Sequence, residues 1–347
     1  MTHQNETSTL IEASAAFDAA MRRLNPLVLS DLREELLLHI EPLQEARRFL
    51  HAGNQEDDLN KGRLRACDFL LAAIRNFANE EDLQAAYIAA LRAARKHCRA
   101  LEALFALCDS FPDINRYFLE KPLISDAFHQ DYSLNIETGL FHIGHNQNLH
   151  ARGGYSLYIP EICSPQTPAP LIVALHGGYS HGRDFLWTWL AHARSRGYIL
   201  FAPTSAAMSW SIGHAATDAQ VLMTHLEEVF ARVPIDRSRM LLSGMSDGGT
   251  YALELALSSG SIFQYVASVA CALAPFDSRQ VEDKHIFWIH GAQDWIFPVS
   301  NAVNAGKQLK SAGADIRMKI IPDLSHTYPR EENSVILDWF ENVAGKQ

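Results

Sequence analysis

Long apolar runs are missing from this chain. No stretch is long and apolar enough to span a bilayer, so no membrane span is expected. Cations are also in short supply, with 30 Lys and Arg against 40 Asp and Glu for a net charge of −10. A surface that tracks nucleic-acid phosphates needs clustered positive charge, so no nucleic-acid partner is expected. The densest basic group, Arg92, Arg95, Lys96 and Arg99, recurs at helical spacing and reads as the solvated face of a helix. Cysteine is scarce too. Cys67, Cys98, Cys108, Cys163 and Cys271 are an odd number without metal-ligand or disulfide-framework spacing, so reduced, mostly buried thiols are expected. The first thirty residues scatter Glu6, Glu12, Asp18, Arg22 and Arg23 and lack the basic start and apolar core of a secretory signal. Cytoplasmic residence is the expectation. No H-E-x-x-H, Walker-type or dinucleotide glycine pattern occurs, and neither a metal nor another cofactor is expected. His142, His145 and His150 fall on an apparent opening hairpin and read as surface histidines.

What is present suits a folded protein of two units. The 347 residues are 48% hydrophobic and 20% charged, enough for a large α/β domain and a smaller companion. From Thr9 to about Asp109 apolar residues return every three or four positions, which predicts a helical bundle. The clearest stripe is Leu83, Tyr87, Leu91, Ala94, Cys98, Leu101, Leu104 and Cys108, with a second at Leu64, Cys67, Leu71 and Ile74. Asp31 with Glu34 predicts a helix start running through Leu36, Leu37 and Ile40, which Pro42 should bend or interrupt. The stretch from Phe111 to about Ser133 has no clean period and reads as the connection. The expected division is therefore 1–130, helical, and 131–347, α/β.

Beyond the connection, short apolar runs alternate with helical patterns. Strands are predicted at Leu140 to Ile143, Tyr155 to Ile159, Leu171 to Leu175, Tyr198 to Ala202, Met240 to Ser243, Tyr265 to Ala270, Ile286 to Ile289 and Ile316 to Ile320. Helices are predicted near Phe185 to Arg196, Ala215 to Arg232, Thr250 to Ser258, Asn301 to Leu309 and Asn333 to Val343. Such alternation implies a mostly parallel sheet flanked by helices.

Gly244-Met245-Ser246-Asp247-Gly248 follows the run Met240 to Leu242 and opens a helix-prone stretch, the layout of a nucleophile elbow. A nucleophilic serine needs a base, an acid that orients the base, and donors for the oxyanion. Asp294 follows the strand candidate ending at Ile289, and His326 follows the last strand candidate. Loops after parallel strands are where open α/β sheets collect functional groups. Asp323 is the competing acid, but it shares the short loop of His326. The glycine-rich turn His176-Gly177-Gly178-Tyr179 after the central strand supplies backbone donors. The amides of Gly178 and Asp247 are the expected oxyanion hole, with Tyr179 as the alternative to Gly178.

The four ordered motifs, Leu175 to Tyr179, Gly244 to Gly248, His290 to Pro298 and His326, resemble the α/β-hydrolase superfamily. Within it the chain resembles the phospholipase/carboxylesterase and dienelactone-hydrolase-like esterases over roughly Gly139 to Val343. Dienelactone hydrolases proper carry a cysteine where this chain has Ser246, and Met245 and Asp247 depart from the residues commonest there in acyl-protein thioesterases. The resemblance implies a serine carboxylesterase acting on a small-molecule ester, with Ser246 as nucleophile, His326 as base and Asp294 as orienting acid. Tyr179, Trp210 and Trp295 are the expected substrate-binding side chains, being aromatic and close to the catalytic loops. Two readings compete: a prolyl-oligopeptidase-like peptidase, whose relatives usually add a β-propeller rather than helices, and a non-catalytic binding protein on a hydrolase fold. The segment from Cys271 to Lys284 is too short for a cap, so the helical unit is expected to cover the site, to form a homodimer contact, or simply to add stability.

Overall fold

A computed structural model describes residues 3–54, 56–79, 83–120, 136–144 and 147–345. The chain divides into two compact units, Met1–Ile124 and Ser125–Gln347. Most of the connection expected after Phe111 lies outside the described residues, but its start is a short helix, α6 (Pro112–Tyr117), with Pro112 at the first position, where a missing N–H costs nothing.

The first unit is helical in its described residues: α1 (His3–Arg22), α2 (Leu29–Leu37), α3 (Ile40–Ala52), α4 (Asp58–Ala78), α5 (Leu83–Phe105) and α6. The expected start at Asp31 is two residues late, because Asn25 caps a 3-10 turn that runs directly into α2. The break expected at Pro42 comes earlier, at Leu38 and His39. Pro42 itself sits in the first turn of α3, where its nitrogen has no intrahelical acceptor to lose. Cys67, Leu71 and Ile74 are buried on α4 as their spacing requires. The predicted stripe is buried at Cys98, Leu101, Leu104 and Cys108 and departs from the α5 seam at Leu91. Ala86, Ala90, Ala93, His97, Ala100 and Leu104 are buried, whereas Leu91 is exposed. Small side chains let α4 and α5 lie close along their length. Phe17 of α1 fills the space above them, edge-on to Phe77 at 5.9 Å and stacked on His97 at 4.6 Å.

The second unit is built on one eight-stranded sheet: β1 (Gly139–Ile143), β2 (Tyr155–Ile159), β3 (Ala169–Leu175), β4 (Ile199–Pro203), β5 (Ile235–Met245), β6 (Tyr265–Val269), β7 (His285–Gly291) and β8 (Asp315–Ile321). Their order is β1-β2-β4-β3-β5-β6-β7-β8. The pairings β1 with β2 and β2 with β4 are antiparallel, and every later pairing is parallel. Each predicted strand is present. Helices α7 (Gly182–Phe185), α8 (Leu190–Arg196), α9 (Ala216–Arg232), α10 (Asp247–Ala256), α11 (Val299–Ser311) and α12 (Asn333–Ala344) form the crossovers and flanks. The single helix expected near Phe185 to Arg196 is divided into α7, a 3-10 turn and α8. This mostly parallel sheet flanked by helices is the α/β-hydrolase fold.

Strands β2, β3, β4 and β6 are buried along their whole length, as their continuous apolar composition demands of strands covered on both faces. Parallel strands point their C-terminal ends one way. The loops after β3, β4, β5, β7 and β8 therefore open on the same end of the sheet.

Candidate active site

Ser246 stands between the end of β5 and the first turn of α10, with φ 54° and ψ −124°. A side chain in that region is strained by about 1–3 kcal/mol, which the surroundings must overcome. They do so through the backbone. The Ser246 N–H donates to Val269 O at 2.9 Å, and its carbonyl accepts from the Thr250 N–H at 2.9 Å. The flanking glycines are steric necessities. A Cβ on Gly244 would run into the Gly248 carbonyl, and one on Gly248 into the carbonyls of Leu175 and His176. The turn can form only if strand, turn and helix approach at contact distance without side chains.

The structure brings Asp294 and His326 to this serine from two other loops. Nε2 of His326 lies 2.9 Å from Ser246 Oγ, and Nδ1 of the same ring lies 2.9 Å from Asp294 Oδ2. A carboxylate only accepts, so Nδ1 carries the proton and Nε2 is left to accept from the hydroxyl. The other oxygen of Asp294 accepts the N–H groups of Ile296 at 2.9 Å and Phe297 at 2.8 Å. Burial opposes ionisation of this carboxyl, but the bond to His326, its charge and the two amides outweigh it and hold Asp294 below its ordinary value. Asp323, the competing acid, is exposed.

Three residues inside the four sequence motifs, to which the sequence assigns no role of their own, support this arrangement. His290 is fully buried; its Nε2–H donates to Phe297 O at 2.7 Å and lies 3.4 Å from Asp294 Oδ2. Its Nδ1 accepts from Trp288 Nε1–H at 3.4 Å. Burial, the largest influence, lowers the pKa of His290 despite the pull of Phe297 and Asp294, and keeps the ring neutral. Phe297 thus donates to the acid with its N–H, accepts from His290 with its carbonyl, and sets its ring edge-on to His326 at 5.4 Å. His176, buried beneath the glycine turn, donates from Nδ1 to Gly177 O at 2.7 Å and accepts the Ser205 N–H at Nε2, at 3.1 Å. The signal for His290 was its place directly before Gly291 at the head of the Asp294 loop.

The Gly177-Gly178 turn lies over the serine. A Cβ on Gly177 would be 3.4 Å from Ser246 Cβ, and one on Gly178 would press on the Asp247 carboxylate. Asp247 is the first residue of α10, so its N–H has no intrahelical acceptor and sits at the positive end of the helix. The Tyr179 alternative for the oxyanion donor fails: its N–H donates to Met208 O at 2.7 Å. The Asp247 side chain accepts from Ser209 Oγ–H, which settles its orientation toward the loop after β4.

The aromatic side chains divide. Tyr179 is 68% exposed and Trp295 51% exposed, on the loops after β3 and β7. Trp210, expected to contact substrate, is instead 5% exposed and part of the core. Its indole N–H donates to His176 O at 2.7 Å and its ring stacks on Tyr251 at 5.1 Å, so it buttresses the glycine turn from behind. Met208, Ile212 and Ile296 are further exposed apolar residues on the same set of loops.

Residues 213–343 match the phospholipase/carboxylesterase family, a span of less than half the chain that contains Ser246, Asp294 and His326. Among solved structures, the chain is similar to a thermostable esterase at 19% identity and a TM-score of 0.43, covering 55% of this chain and 58% of that one. It is similar to an α/β-hydrolase enzyme from a Medee basin deep-sea metagenome library at 15% identity and a TM-score of 0.48, covering 60% and 98%. An acetyl xylan esterase from Aspergillus awamori aligns at 13% identity and a TM-score of 0.46, covering 54% and 93%. No curated protein matches the sequence.

Proposed function

We propose that this chain, whose second unit has the α/β-hydrolase fold and matches the phospholipase/carboxylesterase family over residues 213–343, is a serine hydrolase of carboxylic esters. The observation that carries the reading is the unbroken hydrogen-bond path from Ser246 Oγ through His326 to the buried Asp294 carboxylate. In this reading His326 takes the Ser246 proton as Oγ attacks the ester carbonyl. The amides of Gly178 and Asp247 receive the developing oxyanion. The imidazolium then protonates the leaving alcohol, and a water activated by the same ring releases the acyl group from Ser246. Asp294 holds the ring in the required tautomer and stabilises its charged form. The substrate is a small-molecule ester whose apolar part rests against the exposed rings of Tyr179 and Trp295.

Cytoplasmic residence is supported by five buried cysteines that lack disulfide-framework spacing; among the described residues no helix is long and apolar enough to cross a membrane. A homodimer through the helical unit is supported by the exposed Leu27, Leu37 and Leu38, and light scattering on the full chain tests it. The chemistry is tested by labelling with a fluorophosphonate and assaying short- and long-chain esters beside Ser246→Ala. Labelling and turnover that vanish together in the variant are expected; an intact protein that takes no label sinks the proposal.

A further inference from the structure

The helical unit holds a cleft of about 480 Å³ between α3 and α4, with Arg47 and Arg48 on one wall and Arg75 on the other. Leu71, which is buried, and Ala72 form its apolar floor. Helical spacing puts these groups there. Gln44 and Arg48 are one turn apart on α3, and Asp68, Ala72 and Arg75 follow one another along a face of α4. Small Ala72 keeps the cleft open between the longer side chains.

The charges do not cancel. Arg47 is matched by Asp68, with Nε 2.5 Å from Oδ1. Among the described residues Arg48 has only Glu45, on its own helix, at 3.9 Å. Arg75 pairs with no acid among the described residues. Two guanidinium groups are thus left facing a concave surface in a chain whose net charge is −10. The Arg92 to Arg99 cluster differs in kind, since it lies along one helix with Arg99 already paired to Glu102 at 2.9 Å.

We propose that this cleft binds a small phosphate-bearing dianion. A guanidinium presents its donors as a planar fork that fits phosphate oxygens two at a time. Forks from opposite walls, Arg48 and Arg75, balance the two charges of a phosphate monoester, and Gln44 adds an amide donor at the rim. The Leu71 and Ala72 floor accepts the carbon skeleton of an organic phosphate. Nothing in this site depends on the chemistry at Ser246.

The test is calorimetric titration of the full chain with inorganic phosphate and with phenyl phosphate, in a phosphate-free buffer of low ionic strength, because exposed charges are screened by salt. One saturable site per chain is expected, weakened about tenfold by Arg48→Gln and by Arg75→Gln and unchanged by Arg92→Gln on α5. Tighter binding of phenyl phosphate assigns the cleft to organic phosphates, and the reverse order assigns it to free phosphate. Absence of saturable binding, or equal weakening by all three substitutions, overturns the proposal.

Discussion

Asp294 divides its carboxylate between two tasks: Oδ2 lies 2.9 Å from Nδ1 of His326, while Oδ1 is held by the amides of its own loop. The amides fix the carboxylate, and the carboxylate fixes the ring.

Replacing Asp294 by Asn keeps the shape and removes the charge. The amide nitrogen can face His326 only as a donor, which turns the ring to the tautomer that cannot accept from Ser246. Ester turnover is expected to fall by about 10⁴ with fluorophosphonate labelling slowed in proportion. The native carboxyl is depressed relative to its ordinary value of 3.8, so its ionisation favours the folded state. That contribution is fully present above the unfolded value and is lost as pH falls through the native one. Acid unfolding followed by circular dichroism should therefore show Asp294→Asn to be less sensitive than the parent below about pH 4.

His290 titrates in a different window. Burial depresses it below its ordinary 6.5, so the unfolded chain takes up a proton that the native ring refuses. Its stabilisation is full above pH 6.5 and declines as pH falls toward the native value, by up to about 1.4 kcal/mol per pH unit. His290→Gln, which has no proton to gain, should flatten the melting temperature between pH 7 and 5. It should also lower kcat about tenfold with little change in KM, because the Phe297 peptide that holds the acid is less firmly placed. A variant whose melting temperature still follows the parental pH curve rules out this role.

Much of this arrangement was legible in the residues themselves. Ser246, Asp294 and His326 each follow an apolar run, and the eight runs pair as a sheet whose parallel strands open their loops on one end. The supporting shell was not, because the roles of His176, Phe297 and Trp210 come from contacts across elements rather than from any local pattern. Trp210 illustrates the limit: an aromatic near a catalytic loop is a reasonable wall for substrate, but only the fold shows its N–H committed to His176. The predicted α5 stripe is buried at Cys98, Leu101, Leu104 and Cys108 but departs from the seam at Leu91 for a related reason. Leucine spacing marks one stripe, while close helix approach favours the alanines next to it, and Leu91 is left exposed.

The two glycine turns call for different outcomes. A methyl on Gly248 would overlap the carbonyls of Leu175 and His176, both fixed in or beside the central strand. Gly248→Ala should cost more than about 3 kcal/mol and lower soluble yield. A methyl on Gly178 meets the Asp247 carboxylate, a side chain that can turn away. Gly178→Ala should keep its melting temperature within a few degrees and lose up to about a hundredfold in kcat, as the oxyanion donor shifts. Chemical denaturation and steady-state ester kinetics on the pair distinguish the two cases.

Trp210 and Trp295 give the last contrast, since one is buried behind the glycine turn and the other is exposed beside the acid loop. Trp210→Ala removes a large core side chain and leaves the His176 carbonyl without its donor, so a loss of about 3–5 kcal/mol is expected. Trp210→Phe keeps most of the stacking on Tyr251 and isolates the hydrogen bond; it should lower kcat with KM unchanged, because the turn loosens while the mouth of the site is untouched. Trp295→Ala should do the opposite. Half its surface is already in water, so stability changes by less than about 0.5 kcal/mol, while KM for aryl or long-chain esters rises about three- to tenfold at constant kcat. Kinetics with a short acetyl ester serve as the internal control, since a substrate that does not reach the indole should not register its removal. An unchanged KM for every ester would remove Trp295 from the substrate surface and leave Tyr179 as the remaining aromatic contact.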